Sequence, residues 1–424
     1  MTHQVPLLED ARARILGVAL HGRSAVLVEQ VVTSGTMFGT GVLLARWLPA
    51  QAFAGVALVL AVSMLVAAAL DALVIEPMLV LGTAKWRGAR GAHAAVLARY
   101  LRIATACTAA VAALAVNVVD RRVVEAVIGI LLALLMTQAW SYRRLHQADG
   151  RPEAALAASA TGSVVALGML VTLHAFSRLD VVTGLGALMA AYGLAAVVGA
   201  RRVPVDIAPE ALPDDATVIG EHLRYGCTSL PAAAFAWIVH QAAIPLAAFL
   251  LFADATAALR ALIALVAPTH AVAVTLGAHA LPAIAPRDGR RVPAPAAVRR
   301  EAVRTVLILL PAFAAFAVVP GALVRLVLGE RYAPFAMLLP LLVPGYIAAG
   351  IAVVYATALR LAGHSGRAAL AQGIGACTSV VVALILAPRN GLPGLVVAIT
   401  TGHVVLCAAM LSFHARLAAS EVSP

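Results

Sequence analysis

Apolar runs long enough to cross a bilayer recur from residue 24 to residue 415, with only short polar breaks between them. Inside a bilayer every backbone N–H and C=O must find its partner within the protein, so a run of about 20 apolar residues reads as one membrane-spanning α-helix. On that length the runs divide into twelve segments: 24–45, 53–75, 103–119, 123–142, 154–176, 179–199, 228–251, 255–281, 303–324, 335–359, 368–388 and 392–415. A short break, "NVVDRR", separates the third from the fourth. Composition agrees. The 424 residues are 62% apolar and 12% charged, with a mean hydropathy of +0.95. Water-soluble domains carry about twice that share of charge.

The formal net charge is +11. The basic residues lie between apolar runs rather than in one aromatic-flanked patch, which argues against a nucleic-acid partner. Lys and Arg collect instead in the cytoplasmic loops of membrane proteins. On the twelve-helix map one alternate set of loops holds 23 of them, counting Arg304 at the edge of the ninth run, and the other holds 7, with Arg260 alone well inside a run. The bias predicts a multi-pass inner-membrane protein of bacterial type with both termini in the cytoplasm. The first 23 residues have no central apolar core, so the first spanning helix, not a cleavable signal peptide, is expected to direct insertion. Residues 7–20, with Leu8, Ala11, Ile15 and Ala19 on one side, predict a short interfacial helix. Cys107, Cys227, Cys377 and Cys407 are far apart and form no metal-ligand or disulfide pattern. No cofactor motif and no nucleophile–base pair is present, and every outer loop is short, so the expectation is a protein that is not an enzyme.

The longest polar stretch, residues 201–224, carries three prolines and divides six runs from six. "RLHQADGR" (144–151) and "RLAGHSGR" (360–367) share the pattern RLxxxxGR at a spacing of 216 residues, and "SVV" follows at 163–165 and 379–381. These features predict an all-α polytopic fold of about twelve helices in two parallel six-helix lobes, residues 1–200 and 225–424, joined by a cytoplasmic linker at 201–224. Parallel repeats of this kind place a substrate cavity between bundles.

Particular stretches resemble a known family. A Gly-rich first helix ends in "LLARWLP", "F-x-G" opens the second and "EPM" closes it. "LGERYAPFAMLLPLLVPGY" (328–346), "ALRLAGHSGRAALA" (358–371) and "LAPRNGLPGLVVAITTG" (386–402) extend the likeness through the second half. Together they resemble the polysaccharide-transporter branch of the multidrug/oligosaccharidyl-lipid/polysaccharide exporter superfamily. The resemblance implies two lobes around a central cavity of alternating opening. It implies a flippase whose cargo is a lipid-linked oligosaccharide or polysaccharide precursor, with membrane lipids and polysaccharide assembly proteins as partners and a proton or sodium ion as coupling ion. The competing functions are a small-molecule efflux antiporter of the same superfamily and a non-transporting membrane component of a polysaccharide assembly complex.

Polar side chains within apolar runs are the candidate cavity residues, because an ionised group at mid-membrane costs about 2.5–3.5 kcal/mol and is usually turned to a cavity or a partner. Glu29, Thr33, Thr36 and Thr40 fall at helical spacing on one face of the first run. Either Glu29 meets a coupling cation or a sugar hydroxyl there, or it pairs with Arg23 while the threonines bond back to their own helix. Asp71 carries an ion or partners a neighbouring helix, and Glu76 lies nearer the interface. Arg260 holds an anionic headgroup or snorkels outward. His240 and Gln241 meet sugar hydroxyls or bond between helices.

Overall fold

The computed structural model describes residues 5–86, 90–115, 121–203, 214–285 and 292–422, and all of them form helices and the turns between helices. In chain order the helices are α1 (Val5–Trp47), α2 (Ala50–Leu70), α3 (Glu76–Ala84), α4 (Arg90–Ala115), α5 (Arg121–Ala148), α6 (Pro152–Ala175), α7 (Val181–Arg201) and α8 (Asp215–Gln241). They continue with α9 (Ala243–Leu250), α10 (Ala253–His279), α11 (Leu281–Ile284), α12 (Pro295–Val318), α13 (Pro320–Leu328), α14 (Leu339–Leu361), α15 (Ser365–Asn390) and α16 (Leu392–Val422). A π-helical turn, Asp71–Ile75, joins α2 to α3, and a 3₁₀ turn, Glu330–Leu338, leads into α14.

The apolar runs fall on these helices. Nine helical stretches among the described residues are long and apolar enough to span a membrane, or ten if α8 and α9, bent by 56°, form one span. Helices α1 and α4, which carry the first and third runs, are not among them. The chain is thus an all-α polytopic membrane protein with nine or ten helices of spanning length among the described residues. Residues 116–120, in the "NVVDRR" break, and 204–213, in the expected linker, lie outside those described. Residues 7–20 are not a separate interfacial helix: α1 runs unbroken through them. Between Leu20 and Ser24 only Gly22 opposes helix, and one glycine costs about 1 kcal/mol, too little to stop a long helix by itself.

Proline accounts for the two breaks that matter later. Pro245 has no N–H to give the Gln241 carbonyl, and the chain bends there between α8 and α9. Pro77 likewise cannot donate to Leu73 O, and the turn just before it is π-helical, with the Glu76 N–H reaching Asp71 O.

Two compact units emerge from the packing. Unit 1 comprises residues 1–37, 70–177 and 185–226, and unit 2 comprises 38–69, 178–184 and 227–424. In unit 1, Met78, Ala94, Leu97 and Leu145 pack together, as do Ala139, Ala195 and Ala196. In unit 2 a larger core joins Val239, Val298, Ala352, Tyr355, Leu359, Leu406 and Met410. Helix α12 shows the division of faces: Val298, Ala302, Thr305, Leu309 and Phe313 are buried, whereas Leu307, Ile308 and Leu310 are exposed on the side suited to lipid. Small residues set the spacing of α15 and α16. A Cβ on Gly375 would lie 2.7 Å from Leu406 Cβ and 2.9 Å from Gly402 O.

The RLxxxxGR repeat takes a different register in the structure. Helices α5 and α14 each end in a Schellman turn, with Gly150 (φ +70°) and Gly363 (φ +76°) two residues past the last helical one. The bonds match: Arg151 N–H to His146 O at 2.8 Å and His364 N–H to Leu359 O at 2.9 Å. Gly150 therefore corresponds to Gly363, whereas the sequence pattern had set it against Gly366, which lies in the first turn of α15.

Candidate functional site

Each unit contains a polar cluster within its apolar interior. In unit 1 it surrounds Glu29 on α1, whose side chain is fully buried. Glu29 Oε1 accepts from Thr33 Oγ1 at 2.9 Å and from Ser159 Oγ at 2.8 Å. Gln147 Nε2 donates to Glu29 Oε2 at 3.2 Å, and Arg143 Nε lies 2.8 Å from Oε1. Arg143 also donates to Gln30 Oε1 (3.0 Å), and Gln30 in turn donates to Ser34 Oγ (3.0 Å). Arg143 and Gln147, one turn apart on α5, share the face that meets α1. Charge is matched by opposite charge here and the Glu29 carboxylate is hydrogen-bonded, while Arg143 Nε makes the ion pair without a hydrogen bond of its own. The next residue, Arg144, pairs with Asp71 at 3.4 Å at the head of the π-helical turn.

The polar stripe read along α1 is therefore only partly a unit. Glu29 and Thr33 meet. Thr36 donates to Val32 O at 2.7 Å, and Thr40 is buried in unit 2. Sequence reasoning missed Arg143, Gln147 and Ser159. Arg143 and Arg144 had been placed in a loop, yet α5 carries them as helical residues within a candidate span.

A second polar group in unit 1 holds the first turns of α8. His222 Nδ1 donates to Leu73 O at 3.2 Å, the carbonyl that Pro77 leaves without its usual donor. A neutral His222 must then accept at Nε2, so His93 Nε2 donates to it across 2.8 Å. Trp86 covers both rings, Lys85 pairs with Glu221 and Arg99 with Asp215, and Tyr225 Oη donates to Glu76 at 3.4 Å. Burial, then the facing His222, pushes His93 down to about 4.

The cluster in unit 2 is made of imidazoles. His240 near the end of α8, His270 on α10 and His403 on α16 converge, with ring centroids 4.6 Å apart for His240–His270 and 5.1 Å for His240–His403. Tyr346 on α14 lies against His403, with ring centroids 5.7 Å apart. His240 and His270 open onto a cavity of about 560 Å³ inside unit 2. Thr357, Arg360 and Gln372 supply further polar groups to its wall, and the rest of the wall is apolar. Of the residues singled out from sequence, His240 lines this cavity. Arg260 is half-buried and does not line it, and Gln241 sits at the bend before α9. His270 and His403 were overlooked, although each interrupts an apolar run as His240 does.

No protein-family model matches the sequence, and no curated protein matches it. The fold has close counterparts among solved structures. A lipid II flippase, MurJ, in an inward closed conformation superposes with a TM-score of 0.72 at 9% identity, over 95% of this chain and 91% of that one. The MATE multidrug transporter DinF-BH gives 0.66 at 13% identity, over 98% and 96%. An inward-facing multidrug resistance MATE family transporter of the MOP superfamily gives 0.64 at 12% identity, over 94% and 100%. The chain shares the fold of these three proteins over nearly its whole length.

Proposed function

We propose that this protein is an alternating-access flippase for a lipid-linked oligosaccharide or polysaccharide precursor in the inner membrane. The observation that carries the reading is the extent of the shared fold, which takes in 95% of the chain at a TM-score of 0.72 against a lipid II flippase. In this reading residues 1–200 and 225–424 are two six-helix lobes joined by 201–224, and both termini are cytoplasmic. Contacts within unit 2 support a closed far side. Arg331 donates to Leu48 O, Tyr332 Oη to Ala45 O at 3.3 Å and Arg46 to Leu326 O at 3.2 Å, tying together two loops that the charge bias assigns to that side. Such ties must break for the cavity to open outward, and cargo shifts the balance only by binding the two states unequally.

The polar groups divide by task. Glu29, Thr33 and Asp71 have protein partners on α1 or α5 and hold helices together, while Arg260, off the wall of the unit 2 cavity, would meet a phosphate headgroup only in another state of the transport cycle. A coupling proton or sodium ion gives direction. Membrane lipids and polysaccharide assembly proteins are the partners this reading requires. The second reading, small-molecule efflux, is favoured by the MATE neighbours of similar coverage. Depletion of the protein separates the two. A flippase leaves a lipid-linked sugar on the cytoplasmic leaflet, and an efflux pump leaves the lipid-linked pool unchanged while a small solute builds up inside. Reporter fusions near residues 148 and 292 on one side, and near 49 and 330 on the other, test the topology.

A further inference from the structure

The imidazoles of unit 2 are ordered by their hydrogen bonds. His403 Nδ1 lies 2.9 Å from Ile399 O, and a carbonyl only accepts, so Nδ1 carries the hydrogen. A neutral His403 then has its lone pair on Nε2, 3.2 Å from His240 Nδ1. His240 Nδ1 must donate across that gap, which leaves the lone pair of His240 on Nε2. The order of donors thus runs from His240 through His403 to the Ile399 carbonyl, and its accepting end is on a residue of the cavity wall. His270, the other ring on that wall, has a buried Nδ1 with no partner in the structure.

We infer that His240 and His270 form a proton-binding site in the unit 2 cavity, with His240 Nε2 as the accepting atom and His403 as the residue that orients it. The inference rests on the transport reading and names its coupling ion as a proton. A proton arriving at Nε2 breaks no existing bond. It turns the His240–His403 contact into a charge-assisted one, with the charge facing the dipole of a bonded ring. The surroundings discriminate against sodium. A hard cation wants carboxylate, carbonyl or water oxygens, whereas a proton or a softer cation suits imidazole nitrogen. Among the residues lining the cavity none is Asp or Glu.

The other groups around the cluster come from each element packed on it. Arg260 lies on α10 with His270, Tyr346 and Arg360 on α14, and Cys407 one turn beyond His403 on α16. Gln372 on α15 is polar and uncharged, α9 has no titratable residue, and Glu301 on α12 is engaged by Arg300 and Arg304. The cationic neighbours make the site one that gives its proton back, as a coupling site must, when cargo or a change of state brings positive charge closer.

The test uses the full-length protein in lipid nanodiscs, with its histidines labelled with ¹⁵N and assigned through His240→Gln, His270→Gln and His403→Gln. Solid-state spectra are recorded from about pH 8 to about pH 4, a range that spans an ordinary imidazole. The expected result is conversion of His240 Nε2 from a lone-pair to an N–H signal, matched by uptake of a proton that His240→Gln lacks. Exchanging sodium for potassium should change nothing. A His240 Nε2 signal that keeps its lone-pair form throughout overturns the site, and so does a sodium-dependent shift without proton uptake. Lipid-linked sugar translocation is measured separately on proteoliposomes. Titration without translocation removes the flippase reading and keeps the proton site, and translocation with a silent His240 does the reverse.

Discussion

Units 1 and 2 each bury a polar cluster, yet the two clusters are opposite in kind. Around Glu29 a carboxylate meets a guanidinium, an amide and two hydroxyls within 3.2 Å, and one carboxylate oxygen alone takes three of those contacts. Around His240 three imidazoles meet without a carboxylate in the cavity wall, and one of them keeps an unpartnered nitrogen. A buried ion pair whose carboxylate is held by four side chains is expensive to disturb, and that carboxylate has little left to offer a ligand. A neutral cluster with a spare lone pair beside a cavity is easy to alter and able to bind. The comparison teaches that charge inside a membrane protein is a poor guide to where binding takes place. Unsatisfied capacity beside empty volume is the better one.

Removing half of the ion pair gives the largest expected effect. Arg143→Ala leaves Glu29 buried and unpaired, and breaking such a pair costs about 3–5 kcal/mol. The expected outcome is a sharp loss of folded protein in detergent, read as a fall in thermal midpoint, with Glu29→Gln in the same chain recovering part of it. A variant as stable as the parent removes Glu29 from the structural side of the comparison.

Next in size is the helix contact beneath the imidazoles. Gly375→Val drives a branched side chain against Leu406 and the Gly402 carbonyl, an overpacking worth about 1–3 kcal/mol. Because α16 also carries His403, the variant should lower stability and displace the His403 signal together. Lower stability with an unmoved His403 shows that the cluster is held by α8 and α10 alone.

A pH dependence should appear in unit 1 from His93. Its value in the folded protein lies below the usual 6.5, at about 4, because of burial first and the facing His222 second. The neutral ring therefore contributes fully above about pH 6.5, and its contribution is lost as pH falls through about 4. The thermal midpoint is expected to be level above the upper limit and to decline below it, with His93→Gln flattening the decline. An unchanged decline in that variant assigns the acid sensitivity elsewhere.

The smallest expected effect is the one that most sharpens the contrast. His270→Leu removes a buried nitrogen that has no partner, so stability should stay within about 1 kcal/mol of the parent or rise slightly. Proton uptake should nevertheless fall. A loss of stability as large as that of Arg143→Ala would make the two clusters alike.

Much of this architecture was legible from residue order alone. Apolar runs located the helices because a bilayer forces backbone bonds inside each segment. Only the structure showed that Pro245 and Pro77 mark breaks, where a missing N–H acts on the residue four positions away. The expectation for residues 7–20 failed where one glycine was too weak a stop, and the RLxxxxGR register failed because the turn glycine, set by backbone conformation, was Gly363 and not Gly366.

The clusters were a different matter. From sequence Glu29 had Arg23 as a nearby partner and Asp71 had none, while the structure supplied Arg143 and Arg144 from a helix more than 70 residues further on. His240 stood out as a lone polar residue, and its meaning depended on His270 and His403, which reach it only when α8, α10 and α16 pack side by side. Periodicity along one helix follows from local geometry, so the sequence by itself determined which face each residue occupies. Which faces meet depends on packing between segments far apart in the chain, and that was decided only by the tertiary structure.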